Sequence, residues 1–147
     1  RSRAPGAPAH LARTLDRGLV IGADTIVVLD DELLGKPETE EQGVAMLLKL
    51  SGRTHKVLTA LAMVDGEREA TRLSVSHVTF RELSREEAVR YWHTGEPWDK
   101  AGGYAIQGRA AVFIERLEGS YSGVMGLPLF ETAQLLEEFN VAYQRHW

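Results

Sequence analysis

No cysteine occurs among the 147 residues, which excludes a disulfide framework, a thiolate nucleophile and any cysteine-ligated zinc or iron–sulfur centre. Long apolar runs are missing too: each is broken by an acidic or basic residue before the roughly 18 to 20 residues that a membrane-spanning helix requires. No signal peptide is visible, so no membrane partner is expected and a cytoplasmic setting is. A basic surplus is also lacking, since 17 Lys and Arg stand against 21 Asp and Glu for a formal net charge of −4. The basic residues are dispersed, which argues against nucleic acid as a partner. A few lysines converging on one small phosphate ligand remain compatible with that charge.

Several catalytic patterns are absent as well. The five histidines, His10, His55, His77, His93 and His146, show no H-E-x-x-H or other compact ligand spacing, so a histidine zinc site is not expected. No G-x-x-x-x-G-K-[ST] phosphate loop occurs. Gly119-Ser120-Tyr121-Ser122-Gly123 places Tyr121 where a G-x-S-x-G elbow needs its serine, so serine hydrolysis has no support. Trp92, Trp98 and Trp147 are not interleaved with a basic stripe and read as packing or interface residues.

What is present suits one domain, which at this length buries roughly two-thirds of the surface its unfolded chain exposes. Residues 1–18 read as a flexible lead-in with a short helix over 9–16, and residues 19–147 as the domain. The β-branched run over 19–29 predicts a strand buried on both faces, with Asp30-Asp31 as a turn into a short return strand over 32–34. Thr39 with Gln42 is a capping-box pattern opening a helix that Gly52 ends. Strands over 55–64 and 68–83 are expected, joined through Asp65-Gly66, a hairpin dipeptide. Ser84 with Glu87 opens a second helix running to about Thr94. Residues 95–108 are glycine-rich and read as a functional loop. A strand over 110–116 follows, then a helix after Pro128 with Leu129, Ala133 and Leu136 on one face.

Three features carry chemistry. Asp24 interrupts a strand of Val, Ile and Leu, and a buried carboxylate is costly unless paired or holding a cation. It reads either as a β-bulge whose side chain bonds the local backbone or as a metal ligand and general base. Lys36 sits on the Gly35-Lys36-Pro37 turn, either as solvated surface or as a fixed phosphate contact. Lys100 lies in Asp99-Lys100-Ala101-Gly102-Gly103-Tyr104, where glycines let backbone approach a ligand. Gln107 has a donor and an acceptor on its amide and could read a nucleobase edge.

Taken in order, Gly22-Ala23-Asp24-Thr25, Gly35-Lys36-Pro37, Leu50-Ser51-Gly52-Arg53-Thr54-His55, Asp99-Lys100-Ala101-Gly102-Gly103-Tyr104, Ile106-Gln107-Gly108 and Gly126-Leu127-Pro128-Leu129 resemble the Maf family of nucleoside triphosphate pyrophosphatases. The resemblance covers about residues 19–139. It implies a mixed α/β fold with an elongated twisted sheet, flanking helices and a two-lobed cleft. It also implies Mg²⁺- or Mn²⁺-assisted hydrolysis at the α-phosphate of a nucleoside triphosphate, and a homodimer. On that resemblance Asp24 is the proton acceptor and metal ligand, Lys36 and Lys100 face phosphates, and Thr25 and Gln107 bear on substrate choice. The loop with Gln107 is similar to the branch that acts on dTTP and UTP.

Members of that family open with a strand and an S-x-S-P-R-R turn, which has no counterpart in this sequence. A chain lacking those arginines is expected to bind substrate weakly and to turn over little or nothing. The alternative expectation is a truncated or regulatory domain that binds nucleotide or a protein partner without catalysis.

Overall fold

Residues Leu19–Leu29 form the strand β2, and its neighbours decide which of its side chains meet water. The computed structural model describes residues 13–14, 18–66, 68–145 and 147. The elements are β1 (Arg13–Thr14), β2, β3 (Glu32–Leu34), α1 (Glu40–Leu50), β4 (Thr54–Asp65), β5 (Arg68–Phe80), α2 (Arg85–Trp92), β6 (Ile114–Glu118), α3 (Tyr121–Met125) and α4 (Leu129–Glu138). Two 3₁₀ turns, Ala101–Gly103 and Arg109–Phe113, sit between α2 and β6. The result is the mixed α/β class expected. Among the described residues six strands pair in the order β1-β2-β4-β5-β6 with β3 also on β2, and every pairing is antiparallel. None of the helices is long and apolar enough to cross a membrane, among the described residues.

Local chemistry explains the joints. Asp30 and Asp31 both take positive φ, at 50° and 66°, the twist a two-residue hairpin needs and one that aspartate tolerates. Arg53 pairs with Asp30 and holds that hairpin against the start of β4. Thr39 caps α1 by accepting from the Gln42 amide at 3.1 Å, while the Gln42 side chain accepts from the Glu38 amide rather than closing on Thr39. At α2 both halves of the capping box form between Ser84 and Glu87. Gly43 faces α2 so closely that a Cβ there would come within 2.4 Å of the Trp92 ring.

The packing differs from the sequence reading in several places. β2 was expected to be buried on both faces, yet Asp24 and Ile26 are exposed. Ile26, Leu58 and Val75 lie opposite one another across β2, β4 and β5 on an open sheet face, as an antiparallel sheet packed on one side allows. The bulge expected at Asp24 is absent, because β2 runs against β4 without a shift from Leu19↔Asp65 to Val28↔Lys56, although its side chain does bond the local backbone at the Thr25 amide. The strand expected over 110–116 is a 3₁₀ turn followed by β6, because the Glu96 carboxylate takes the Arg109 and Ala110 amides away from any ladder. β5 ends at Phe80 and α2 at Trp92, both earlier than expected. In α4 the buried side chains are Thr132 and Leu135, while Leu129 is exposed. Of the helix expected over 9–16, Arg13–Thr14 instead pair as a strand with Ile21 and Val20, and the remaining positions lie outside the described residues, as do residues 1–8 of the lead-in.

Two apolar clusters fill the covered face of the sheet. One gathers Val27, Leu47, Val57, Phe80, Tyr91 and Tyr104 under α1 and α2. The other joins Leu19, Leu61, Met63, Leu135 and Phe139 under α4. Between them the sheet presents hydroxyls, Thr59, Ser74 and Ser76, all buried. Helix α3 lies over this belt so closely that a Cβ at Gly123 would meet Ser74 Oγ at 2.5 Å.

Among the described residues His55 is the one buried histidine, 1 % exposed. Its Nε2 and the Tyr104 hydroxyl lie 2.6 Å apart, and its Nδ1 has no hydrogen-bond partner. Burial lowers its pKa from 6.5 to about 4. The unfolded chain therefore binds more protons between those two values, so stability is full above pH 6.5 and is lost as pH falls towards 4. The loss should approach about 3 kcal/mol. Urea denaturation across this range should show it, and the double variant His55→Phe/Tyr104→Phe, which removes both polar partners together, should flatten the slope. An unchanged slope in that variant would assign the pH dependence to other groups.

Candidate active site

An open cleft of about 220 Å³ lies against β2, between the two apolar clusters. Four of the five residues singled out in the sequence line it: Asp24 and Thr25 on β2, Lys36 on the turn after β3, and Lys100 on the glycine loop. Gln107 does not. It is exposed in a separate shallow depression beside Ile114, Arg116 and Tyr121.

Asp24 is reached from solvent because it lies with Ile26 on the open face of β2, beside a stretch of the strand's outer edge that is only partly paired. β1 occupies Val20 and Ile21, β3 occupies Val27 to Leu29, and among the described residues no strand covers 22–26 between them. One Asp24 carboxylate oxygen accepts from the Thr25 amide at 3.1 Å. The Thr25 side chain turns the other way, into the hydroxyl belt. Thr59 donates to the Gly123 carbonyl at 2.6 Å and lies 2.9 Å from the Thr25 hydroxyl. A carbonyl only accepts and a hydroxyl has one hydrogen, so Thr25 must donate to Thr59 and its own oxygen is left as an acceptor facing the cleft.

The two lysines are placed by one backbone contact and two glycines. The Gly102 amide donates to the Gly35 carbonyl at 3.0 Å, tying the Lys100 loop to the Lys36 turn. Gly102 has φ +75° and packs so tightly on Val27 that an added Cβ would lie 3.1 Å from its methyls. Gly103, at φ +77°, passes between Pro37 and Met46 of α1. Tyr104 then turns inward, where burial pushes its phenol pKa up, and its ring stacks edge-on against Phe80 and His55.

Asp99, given no role on the sequence alone, also lines the cleft. The Lys100 ammonium, bonded to it at 2.9 Å, holds its carboxyl below the usual range, and Lys36 adds to the effect. The cleft thus balances two ammonium groups against two carboxylates. Among the described residues no group of three or more His, Asp or Glu could hold a metal ion unaided. Two carboxylates in one cleft do fit a cation of the Mg²⁺ type, which commonly takes one or two carboxylates and completes its shell with water and substrate phosphates.

Sequence reasoning gave no individual role to Glu96, or to His55 beyond its place in the Leu50-Ser51-Gly52-Arg53-Thr54-His55 motif. The signal for His55 was its parity with Val57 and Thr59, which put it on the inward face of β4. For Glu96 there was only its place between Gly95 and Pro97, which says nothing about partners.

A family model described as Maf-like protein matches residues 6–139. The chain is 76% identical over 128 residues to the dTTP/UTP pyrophosphatase of Alkalilimnicola ehrlichii, covering 87% of this chain and 63% of that protein. It is 59% identical over 136 residues to the dTTP/UTP pyrophosphatase of Saccharophagus degradans, covering 92% and 65%. It is 57% identical over 127 residues to that of Aromatoleum aromaticum, covering 86% and 62%. The chain therefore spans a little under two-thirds of the length of these relatives.

The seating of the Lys100 loop is open to test. Gly102→Ala should destabilise the chain by about 1–2 kcal/mol, because an L-residue is strained at that φ and Val27 leaves no room. Gly35→Ala, with nothing near the added methyl, should stay within about 0.5 kcal/mol of wild type. Urea midpoints of both variants decide the matter, and equal shifts would show that the loop is not held where the structure places it.

Proposed function

This chain belongs to the Maf family, and from that premise we propose that its cleft serves to hydrolyse a pyrimidine nucleoside triphosphate, dTTP or UTP, to the monophosphate and pyrophosphate. The observation that carries the proposal is the convergence of Asp24, Lys36, Lys100 and Asp99 on one open cleft, from three separate stretches of chain. The printed names of the relatives supply the substrate class.

The residue types suit the reaction. Water adds to the α-phosphorus while the bond from that phosphorus to the bridging oxygen of the departing pyrophosphate breaks. Asp24, reachable by water and held by the Thr25 amide, accepts the proton of the attacking water. Lys36 and Lys100 stabilise the charge that grows on the transferred phosphoryl group and on the leaving group. Before substrate arrives Lys100 rests on Asp99, so a phosphate oxygen has to replace that carboxylate to engage it. A divalent cation, Mg²⁺ or Mn²⁺, would be held by Asp24 and Asp99 with the substrate's phosphates, and it would supply charge neutralisation that two lysines offset by two aspartates cannot.

Base choice falls to Thr25, whose oxygen enters the cleft as an acceptor and so matches the imide N–H of uracil or thymine, together with Gln107 from its separate depression. The reading extends to a cytoplasmic setting and to a homodimer.

Pyrophosphate and monophosphate released from dTTP, UTP, CTP, GTP and ATP with Mg²⁺ or Mn²⁺ provide the test. Release favouring dTTP and UTP is expected, and binding without release would instead support a domain that recognises nucleotide without cleaving it. Asp24→Asn should lower kcat by about 10²–10⁴ with little change in Tm, because the side chain is exposed. Near-normal turnover in that variant would remove Asp24 from the mechanism. Gln107→Ala and Thr25→Val should each reduce the preference for dTTP and UTP by about 1–3 kcal/mol, read as ratios of kcat/KM. An unchanged ratio would take that residue out of base selection.

A further inference from the structure

Outside the cleft, a dense set of polar contacts surrounds Glu96, which does not line the cleft. Its carboxylate accepts from the Tyr91 hydroxyl at 2.6 Å, from the Arg109 amide at 3.0 Å and from the Ala110 amide at 3.4 Å. The Tyr91 oxygen in turn accepts from the Ala105 amide at 3.0 Å. Upstream, the Glu96 amide donates to Thr94 Oγ1 at 3.1 Å, and that hydroxyl donates to the Tyr91 carbonyl at 2.7 Å. A Cβ at Gly108 would sit 2.4 Å from the Glu96 carboxyl, so a side chain there would push that carboxylate from its place.

Residues 96–110 are thereby drawn into a closed loop, fastened at its ends by one carboxylate and near its middle by the phenol that this carboxylate holds. Lys100 lies within that loop and lines the cleft, and Gln107 lies within it in the separate depression. Burial acts to raise the Glu96 pKa, but the Tyr91, Arg109 and Ala110 donors and the nearby Arg109 charge outweigh it and leave the carboxyl below its usual range. It is therefore an ionised acceptor for three donors.

We propose that Glu96 is a positioning residue for the cleft: by clasping the Arg109 and Ala110 amides and the Tyr91 hydroxyl, it fixes the loop that aims Lys100 at the substrate's phosphates. This rests on the pyrophosphatase reading of the cleft. Glu96→Gln preserves shape but exchanges one acceptor oxygen for an N–H₂ group, so at least one of the three donors loses its partner. The loop then loosens where it matters for Lys100, and a misplacement of the order of 1 Å in a reacting group can lower rate by about 10²-fold.

The experiment combines amide hydrogen exchange with a double-mutant cycle on the full chain with Mg²⁺ and dTTP. E96Q should speed exchange at Arg109 and Ala110 and lower kcat/KM by about 10²-fold. In the K100A background the further loss should shrink to within about twofold, because the residue being aimed is gone, whereas in K36A the two losses should multiply. A merely structural role would depress all backgrounds alike. Equal losses on K100A and K36A, or a kcat/KM within about twofold of wild type in E96Q, would overturn the proposal. A wild-type chain that releases no pyrophosphate would sink the pyrophosphatase reading separately. The clasp would then be judged by inorganic tripolyphosphate binding, with E96Q expected to weaken Kd about tenfold with Lys100 present and not in K100A, and overturned by equal weakening in both.

Discussion

The 2.6 Å hydrogen bond between His55 and Tyr104 joins the sheet to the glycine loop, and the cleft takes its shape from that junction. Both partners are buried, and their rings meet Phe80 edge-on, with Phe80 to Tyr104 centroids 4.9 Å apart. With Tyr104 pinned inward, the four residues before it must run along the surface of β2. Gly102 meets Val27 there, and Gly103 slips between Pro37 and Met46. Lys100 is left at the rim, opposite the strand that carries Asp24. A histidine at this place must stay neutral to stay buried, which is why its hydrogen-bonding is local and why it supplies no ligand or base to the cleft.

Between the two apolar clusters the sheet carries hydroxyls in place of aliphatic side chains, and this interruption gives the cleft its floor. Thr25, Thr59 and the Gly123 carbonyl form one directed chain of hydrogen bonds, while the Ser76 hydroxyl accepts from the Ser120 amide at 2.9 Å. The Thr59 and Ser76 hydroxyls are satisfied by α3 and the turn before it, so they avoid the penalty of an unpaired polar group. The belt also lets α3 sit low enough for Val124, Met125 and Gly126 to wall the cleft. A continuous Val and Leu surface would have merged the clusters and filled the space. The charged residues Asp24, Lys36, Asp99 and Lys100 collect at the rim, where they keep access to water.

Much of the framework was legible because it depends on neighbours in sequence. Asp30-Asp31 and Asp65-Gly66 announce hairpins, Ser84 with Glu87 announces a helix start, and the β-branched run over 19–29 announces a strand. The motif residues of the cleft, Asp24, Thr25, Lys36 and Lys100, could be chosen from their odd company: a carboxylate among aliphatics, a lysine between Gly and Pro, a lysine before paired glycines. Gln107 shows the limit of that method. It stands three residues beyond Tyr104, yet the turn at 106–108 carries it into another depression.

The sequence by itself determined the antiparallel hairpins, the capped helices, the absence of thiol and compact histidine chemistry, and the residue types able to handle a phosphate. Those follow from backbone sterics, from periodicity and from side-chain inventories that span a few residues. Only the tertiary structure decided that Asp24 is exposed, that α4 buries Thr132 and Leu135 in preference to Leu129, and that 109–113 is a turn. It alone paired His55 with Tyr104 across 49 positions and brought Glu96 to amides 13 and 14 positions away. The physical reason is the same in each case. Burial and hydrogen-bond satisfaction are settled by whichever segment arrives from elsewhere in the chain, and nothing local to Glu96, His55 or Asp24 states which segment that will be.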